Sequence, residues 1–165
     1  MVNVANLTQQ RQIRRASMTS VNYVLSKIAE YVLLMFIGGF VYTICEMVYR
    51  TYSHWSMFIV GGLCLIIVGL LNEGILPSNW GLIPQSLVGA VAITLVEFVC
   101  GLIVNVWLNL NVWDYSNLPL NIMGQVCLPF TLIWVVLALV AIVVDDRVRY
   151  RFFGEPKPSY VWWMK

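Results

Sequence analysis

Four long apolar stretches, each bounded by polar or aromatic residues, dominate the pattern of hydrophobic and polar positions along the chain. A helix of about 20 mainly apolar residues is long enough to cross the hydrocarbon core of a bilayer. The pattern therefore predicts four transmembrane helices, at residues 27–49, 57–76, 82–108 and 125–144. Short connectors separate successive spans, which favours antiparallel neighbours packed as a compact four-helix bundle.

The two ends of the chain are more polar than the spans. We predict a polar, basic tail at residues 1–26, a transmembrane domain at 27–146 and a basic, aromatic tail at 147–165. Of the 10 lysines and arginines, only Arg50 lies away from these ends. Because basic residues concentrate on the cytoplasmic side of a membrane, we expect both termini to be cytoplasmic and the protein to lie in the inner, cytoplasmic membrane.

Composition strengthens the assignment to an all-α integral membrane protein. The chain is 60% hydrophobic and 11% charged, whereas about 25% of the residues in a soluble domain are charged. All four cysteines fall in or at the end of apolar segments, and none has a CxxC or metal-type spacing. They therefore indicate neither a disulfide nor a redox cofactor.

Acidic residues inside the spans are candidate functional groups, because an ionisable side chain is costly within a membrane. Glu97 lies near the middle of the third span, and Glu46 lies four residues before Arg50 in the first. Helical spacing places Glu97, Gly101 and Asn105 on one face, so we expect a polar seam inside the bundle. This seam predicts a substrate- or ion-binding site, a helix-locking set of hydrogen bonds, or a pair between Glu97 and Arg50 or a neighbouring subunit.

A polar and aromatic segment joins the third and fourth spans. Asp114, flanked by a tryptophan and a tyrosine, precedes a serine, a pattern typical of a turn or a cap. The flanking aromatics are typical of the membrane interface. The alternative is an outward-facing binding loop in which Asn121 and Gln125 point back towards Glu97.

Motifs for catalysis and for phosphate binding are missing: the sequence contains no GxSxG, HExxH or GxxxxGK[ST]. His54 is the single histidine, and Glu73 is expected to lie at a solvated helix end. Asp145 and Asp146 lack further acids nearby in sequence, and Asp145 can pair with Arg149 four residues later. We therefore expect no enzymatic activity, no metal site, no cofactor and no binding of nucleic acid.

Several segments resemble a bacterial membrane family. They are Glu46-x-x-Tyr49-Arg50, Glu97-Phe98-x-x-Gly101, VWDYSNLP at 112–119, Asn121-x-x-Gly124-Gln125-x-Cys127-Leu128, and Trp134. Over roughly residues 30–155 the chain looks like the ABC-transporter type IV (CmpB-like) family. It would be a short, divergent branch, because the family's Pro-Ile-Tyr-Gly segment is absent. The resemblance implies a permease-like component, yet the chain has no ATP-binding site of its own.

The seam and the resemblance together predict a small transporter or channel-like component. We expect it to work in the lipid bilayer as a homo-oligomer or with another membrane protein. The alternative is a membrane scaffold that transports nothing, or a holin-like, lesion-forming protein of a phage or mobile element.

Overall fold

The computed structural model describes residues 20–77 and 79–163, with the isolated positions 9, 12 and 13. Most of the predicted tail at 1–26, and the last two residues of the tail at 147–165, lie outside the described residues. The described ranges form four α-helices: α1 (Ser20–Arg50), α2 (Trp55–Leu70), α3 (Leu82–Gly101) and α4 (Leu128–Phe153). Two helices continue as π-helix, α2 through Leu71–Ile75 and α3 through Leu102–Trp107. The described part of the chain contains no β-strand.

All four helices are long and apolar enough to cross a membrane. The shortest candidate span, Trp55–Ile75, has 21 residues, which corresponds to about 30 Å at 1.5 Å per residue. That length matches the hydrocarbon core of a bilayer. The prediction of an all-helical protein with four helices long and apolar enough to span a membrane is therefore confirmed, while the compact bundle and the cytoplasmic placement of both termini stay predictions.

The helices alternate in direction, so the molecule has two distinct ends. We call the end where α1 and α3 begin and α2 and α4 finish the terminal end. The opposite end, covered by residues 108–127, is the loop end. A contact at the terminal end agrees with this arrangement, since Glu30 near the start of α1 pairs with Arg149 near the end of α4.

Small residues let α1 and α2 approach closely. A Cβ atom added at Gly38 would lie 2.5 Å from the carbonyl oxygen of Gly61 and 2.8 Å from the Cβ of Leu65. Close backbone approach at small residues is the common way in which transmembrane helices associate. The outer faces of the helices remain apolar, as Val91 and Leu95 of α3 illustrate, and suit contact with lipid.

The segment after α4 returns to the start of α3. The backbone N–H groups of Leu82 and Ile83 donate to the carbonyl oxygens of Val161 and Trp162, at 2.8 and 3.1 Å. The first N–H groups of a helix have no partner within the helix. The C-terminal tail therefore caps α3 at the terminal end.

Candidate functional site

Glu97 is buried where α3, α4 and the loop meet. One carboxylate oxygen accepts a hydrogen bond from Nε1 of Trp134 on α4, at 2.9 Å. The other accepts from the hydroxyl of Tyr115 in the loop, at 3.1 Å. Both oxygens thus have a donor, and one side chain connects two helices and the loop.

The hydroxyl of Tyr115 is well suited to donate this bond. Burial, and secondly the neighbouring Glu97 carboxylate, raise the pKa of Tyr115 well above its ordinary value. Both causes disfavour the phenolate. Tyr115 therefore keeps its proton and holds the loop against α3.

Asn105 lies in the π-helical end of α3, and both polar atoms of its side-chain amide form hydrogen bonds. Its Nδ2 donates to the carbonyl oxygen of Trp113 at 3.0 Å and to Oε1 of Gln125 at 2.8 Å. Its Oδ1 accepts from the backbone N–H of Val112 at 2.7 Å. Gln125 in turn donates from Nε2 to the carbonyl oxygen of Met123 at 2.9 Å. This network fixes the loop across the end of α3.

Glu46 and Arg50 form the predicted i,i+4 ion pair on α1, with 2.6 Å between Oε1 and Nη2. Nη1 of Arg50 also donates to the carbonyl oxygen of Val112 at 2.7 Å. The second oxygen of Glu46 accepts from the hydroxyl of Ser53 at 2.7 Å. Because the N–H of Val112 binds Asn105, this one loop residue joins α1 to α3.

Asp114 and Asn121 shape the exposed side of the loop instead. The backbone N–H of Ser116 donates to Asp114 at 2.8 Å, as a turn of this type requires. The hydrogen bonds from Ser116 hold the pKa of Asp114 below its ordinary value. The amide of Asn121 donates to the carbonyl oxygens of Ser116 and Leu118, at 3.1 and 2.9 Å.

Most of the predicted site residues thus gather around loop residues 112–115. These are Glu46, Arg50, Glu97, Asn105 and Gln125. Asp114 belongs to this segment, but its side chain bonds Ser116, and neither Asp114 nor Asn121 bonds to those five residues. His54 caps the start of α2, where its ring accepts a bond from the N–H of Ser56.

Sequence reasoning did not single out Tyr115 and Trp134 as partners of Glu97. A signal was present, because a buried tyrosine or tryptophan usually finds a hydrogen-bond partner. Trp134 lies within an apolar span, 37 residues from Glu97. Its polar N–H indicates that a partner exists, but nothing local in the sequence indicates which one.

A cavity of about 630 Å³ lies beside this network, between α1 and α4. These two helices have few contacts with each other. Its apolar lining includes Val41 and Tyr42 of α1 and Ile133, Leu137, Val140 and Ala141 of α4. Because Val41 and Val140 are also exposed, the cavity opens on the lipid-facing surface.

Polar groups lie at one end of the cavity. Glu46, Arg50 and Tyr115 line it at the loop end, and Trp134 lines it further in. Glu97 is not part of the lining, although it bonds both Tyr115 and Trp134. Glu97 therefore holds two residues of the cavity wall in place without lining the cavity itself.

Comparison with known proteins supplies one match. A family model described as "Putative ABC-transporter type IV" matches residues 31–164, a range that covers all four helices apart from the first residues of α1. Neither the curated proteins nor the solved structures give a match.

Proposed function

The chain belongs to the ABC-transporter type IV family, and from this premise we propose that it is the membrane-spanning component of a small transport system. The transported molecule binds in the cavity between α1 and α4. The chain carries no phosphate-binding motif of the GxxxxGK[ST] type, so the proposal assigns it no ATP hydrolysis of its own. It works in the cytoplasmic membrane, with both termini inside, as an oligomer or with another membrane protein.

The cavity is the observation that supports this proposal. Its volume of about 630 Å³ falls within the range of roughly 300–1,000 Å³ typical of small-molecule sites. Its walls are mainly apolar along α1 and α4, and its charged residues, Glu46 and Arg50, lie at the loop end. A molecule with an apolar body and a polar end fits this distribution.

The position of the cavity also suggests the route of entry. Val140 and Ile133 line the cavity and are about half exposed, at 48% and 47%. Both lie in a segment long and apolar enough to span a membrane. An amphiphilic molecule can therefore enter sideways from the bilayer, and its polar end then lies near Arg50 and Tyr115.

Glu97 acts in this proposal as a positioning residue. Its hydrogen bonds hold Tyr115 and Trp134, which form part of the cavity wall. In this proposal the polar seam expected from the sequence holds the residues of the cavity wall in place and does not itself line the cavity.

The test uses purified protein in proteoliposomes that contain NBD-labelled phosphatidylethanolamine. Movement of this lipid between leaflets is followed by its quenching with external dithionite. We expect wild type to accelerate the movement and Val140→Trp, which fills the cavity, to slow it severalfold. The matched control is Val136→Trp, on the same helix and exposed but outside the cavity lining; it should behave as wild type.

Two results contradict the proposal. Equal rates for the Val140 and Val136 variants would mean that the cavity is not the path. Absence of lipid movement in the wild type, with no leakage of an encapsulated dye, would instead favour a membrane scaffold. Rapid leakage of the dye would favour the holin-like alternative.

A further inference from the structure

Three carboxylates from two helices meet at the terminal end. Glu73 lies in the π-helical end of α2, and Asp145 and Asp146 lie near the end of α4. One oxygen of each lies within 4.8 Å of the corresponding oxygens of the other two. The sequence alone offered the two aspartates without a third acid nearby, and the fold supplies Glu73.

Asp145 has an oxygen that no donor satisfies. The residue is fully buried, at 0% exposure. Its Oδ2 accepts from Nε of Arg149 at 2.7 Å, which is the predicted i,i+4 pair. Its Oδ1 is buried and has no hydrogen-bond partner. Such an atom is rare in native proteins, and it points to a ligand that is not part of the chain.

The unsatisfied oxygen faces α2. A Cβ atom placed on Gly69 would lie 2.5 Å from Oδ1 of Asp145 and 2.8 Å from Oδ2. Because Gly69 has no side chain, the carboxylate of Asp145 can occupy this space. Glu73 follows Gly69 by four residues, so both lie on one face of α2. The free Oδ1 atom is therefore directed to the side of α2 that carries Glu73.

Asp146 is held in place by neutral donors. Nδ2 of Asn72 donates to its Oδ1 at 2.7 Å, and the side chain of Tyr160 also hydrogen-bonds to it. These two contacts orient the carboxylate. The cluster therefore presents three acidic groups from two helices, and hydrogen bonds orient both aspartates.

We propose that Glu73, Asp145 and Asp146 together bind a divalent cation of the size of Ca²⁺. Carboxylate oxygens are the ligands preferred by hard cations such as Ca²⁺, Mg²⁺ and Mn²⁺. The ligand atoms lie within 4.8 Å of one another, a separation that a Ca²⁺ ion at roughly 2.3–2.6 Å from each oxygen can bridge. Mg²⁺ gives up its bound waters reluctantly and is seldom held by protein carboxylates alone, which favours Ca²⁺ in a buried cluster.

The bound ion connects α2 to α4 at the terminal end. Next to it, Arg149 already joins α4 to Glu30 of α1, and Lys27 also pairs with Glu30 at 2.9 Å. The cation site therefore completes a set of contacts that ties three helices together. This inference is independent of the transport proposal.

The test measures binding to the full-length protein in detergent after removal of metal by a chelator. Calorimetric titrations use CaCl₂, MgCl₂ and MnCl₂ separately, and the melting temperature is recorded with each ion. We expect wild type to bind one Ca²⁺ per chain, to melt at a higher temperature with Ca²⁺, and to bind Mg²⁺ more weakly.

Glu73→Gln and Asp146→Asn each remove one ligand charge and retain Arg149 and its partners. Each should weaken Ca²⁺ binding by about tenfold or more, since loss of even a supporting residue costs about 10–100-fold in metal affinity. The matched control is Glu155→Gln, at the same end but outside the cluster; it should bind as wild type. Circular dichroism checks that each variant keeps its helices.

Three outcomes would overturn the proposal. Wild type that binds none of the three ions has no such site. Equal Ca²⁺ affinity in wild type and in a folded Glu73→Gln variant would place any bound ion elsewhere. Tighter binding of Mg²⁺ than of Ca²⁺ would overturn the assignment of ion size.

Discussion

The two ends of the molecule differ in the partners that their buried polar groups have. At the loop end, every side-chain polar atom of Glu97, Asn105 and Gln125 has a partner, and most of the partners are neutral groups of the loop. The ion pair of Glu46 with Arg50 lies beside them, and there Nε of Arg50 lacks a partner. At the terminal end, charged groups meet one another, and Oδ1 of Asp145 and Nη2 of Arg149 have no partner.

We therefore interpret the loop-end network as one that stabilises the fold, and the terminal-end cluster as one that can bind a ligand. A satisfied buried network is rigid, and it gives helices and loop one relative position. A buried atom without a partner carries a free-energy cost until something binds it. The more conspicuous acid in the sequence, Glu97, is in the satisfied network, and the less conspicuous Glu73 is in the incomplete one.

The largest effect is expected at the terminal end, from Arg149→Met. Arg149 donates to both Glu30 and Asp145, and all three are buried. Its loss leaves Asp145 without a cation and leaves Glu30 with Lys27 alone, and breaking a buried ion pair costs about 3–5 kcal/mol. Unfolding of the purified protein by sodium dodecyl sulfate, followed by circular dichroism, measures the change.

The control for this variant is Arg147→Met, an exposed position on the same turn of α4. It should alter the free energy of unfolding by less than about 0.5 kcal/mol. Similar losses for the two variants would show that the terminal end does not depend on its buried charges, and the contrast between the ends would fail.

The sequence predicted much of the fold, because span length and hydropathy are local properties. It also placed Glu97 and Asn105 on a buried face of α3, since helical periodicity is local too. The i,i+4 pairs, Glu46 with Arg50 and Asp145 with Arg149, follow from the same spacing.

The sequence did not predict which residues of distant segments contact each other. The bond between Glu97 and Trp134 spans 37 residues, and that between Asn72 and Asp146 spans 74. Such pairs depend on how the helices pack, which hydropathy does not encode. The α1–α4 cavity was hidden for the same reason, because it exists only where two helices far apart in sequence leave a space.

At the loop end, Glu97→Leu should have an intermediate effect. It removes the acceptor for both Trp134 and Tyr115 and leaves their buried donors without partners. A buried donor without its acceptor costs about 1–3 kcal/mol. The same detergent unfolding assay measures this loss.

Glu97→Gln is the matched variant, because it keeps the size of the side chain and one carbonyl acceptor. We expect a smaller loss of stability and preserved lipid movement in the NBD assay. If Glu97→Gln abolished lipid movement without lowering stability, the carboxylate charge would take part in transport. The loop end would then be a working site rather than a satisfied network.

The smallest effect is expected from Tyr115→Phe, and its pH dependence is the informative part. Loss of one hydrogen bond to Glu97 should cost about 0.5–1.5 kcal/mol near neutral pH. Because burial raises the pKa of Tyr115 above its ordinary 10.0, the folded state holds this proton more tightly than the unfolded state does. The contribution of Tyr115 to stability is therefore complete below pH 10 and decreases as the pH rises above it.

Wild type should consequently lose stability above pH 10 more steeply than Tyr115→Phe, so that the two unfolding free energies converge. Tyr49→Phe is the control, since Tyr49 lies at the same end and is 77% exposed; its pH profile should follow that of wild type. If wild type and Tyr115→Phe instead stayed a constant distance apart across this range, the hydroxyl of Tyr115 would not be held by burial and by Glu97. The loop end would then lack the rigidity that distinguishes it from the terminal end.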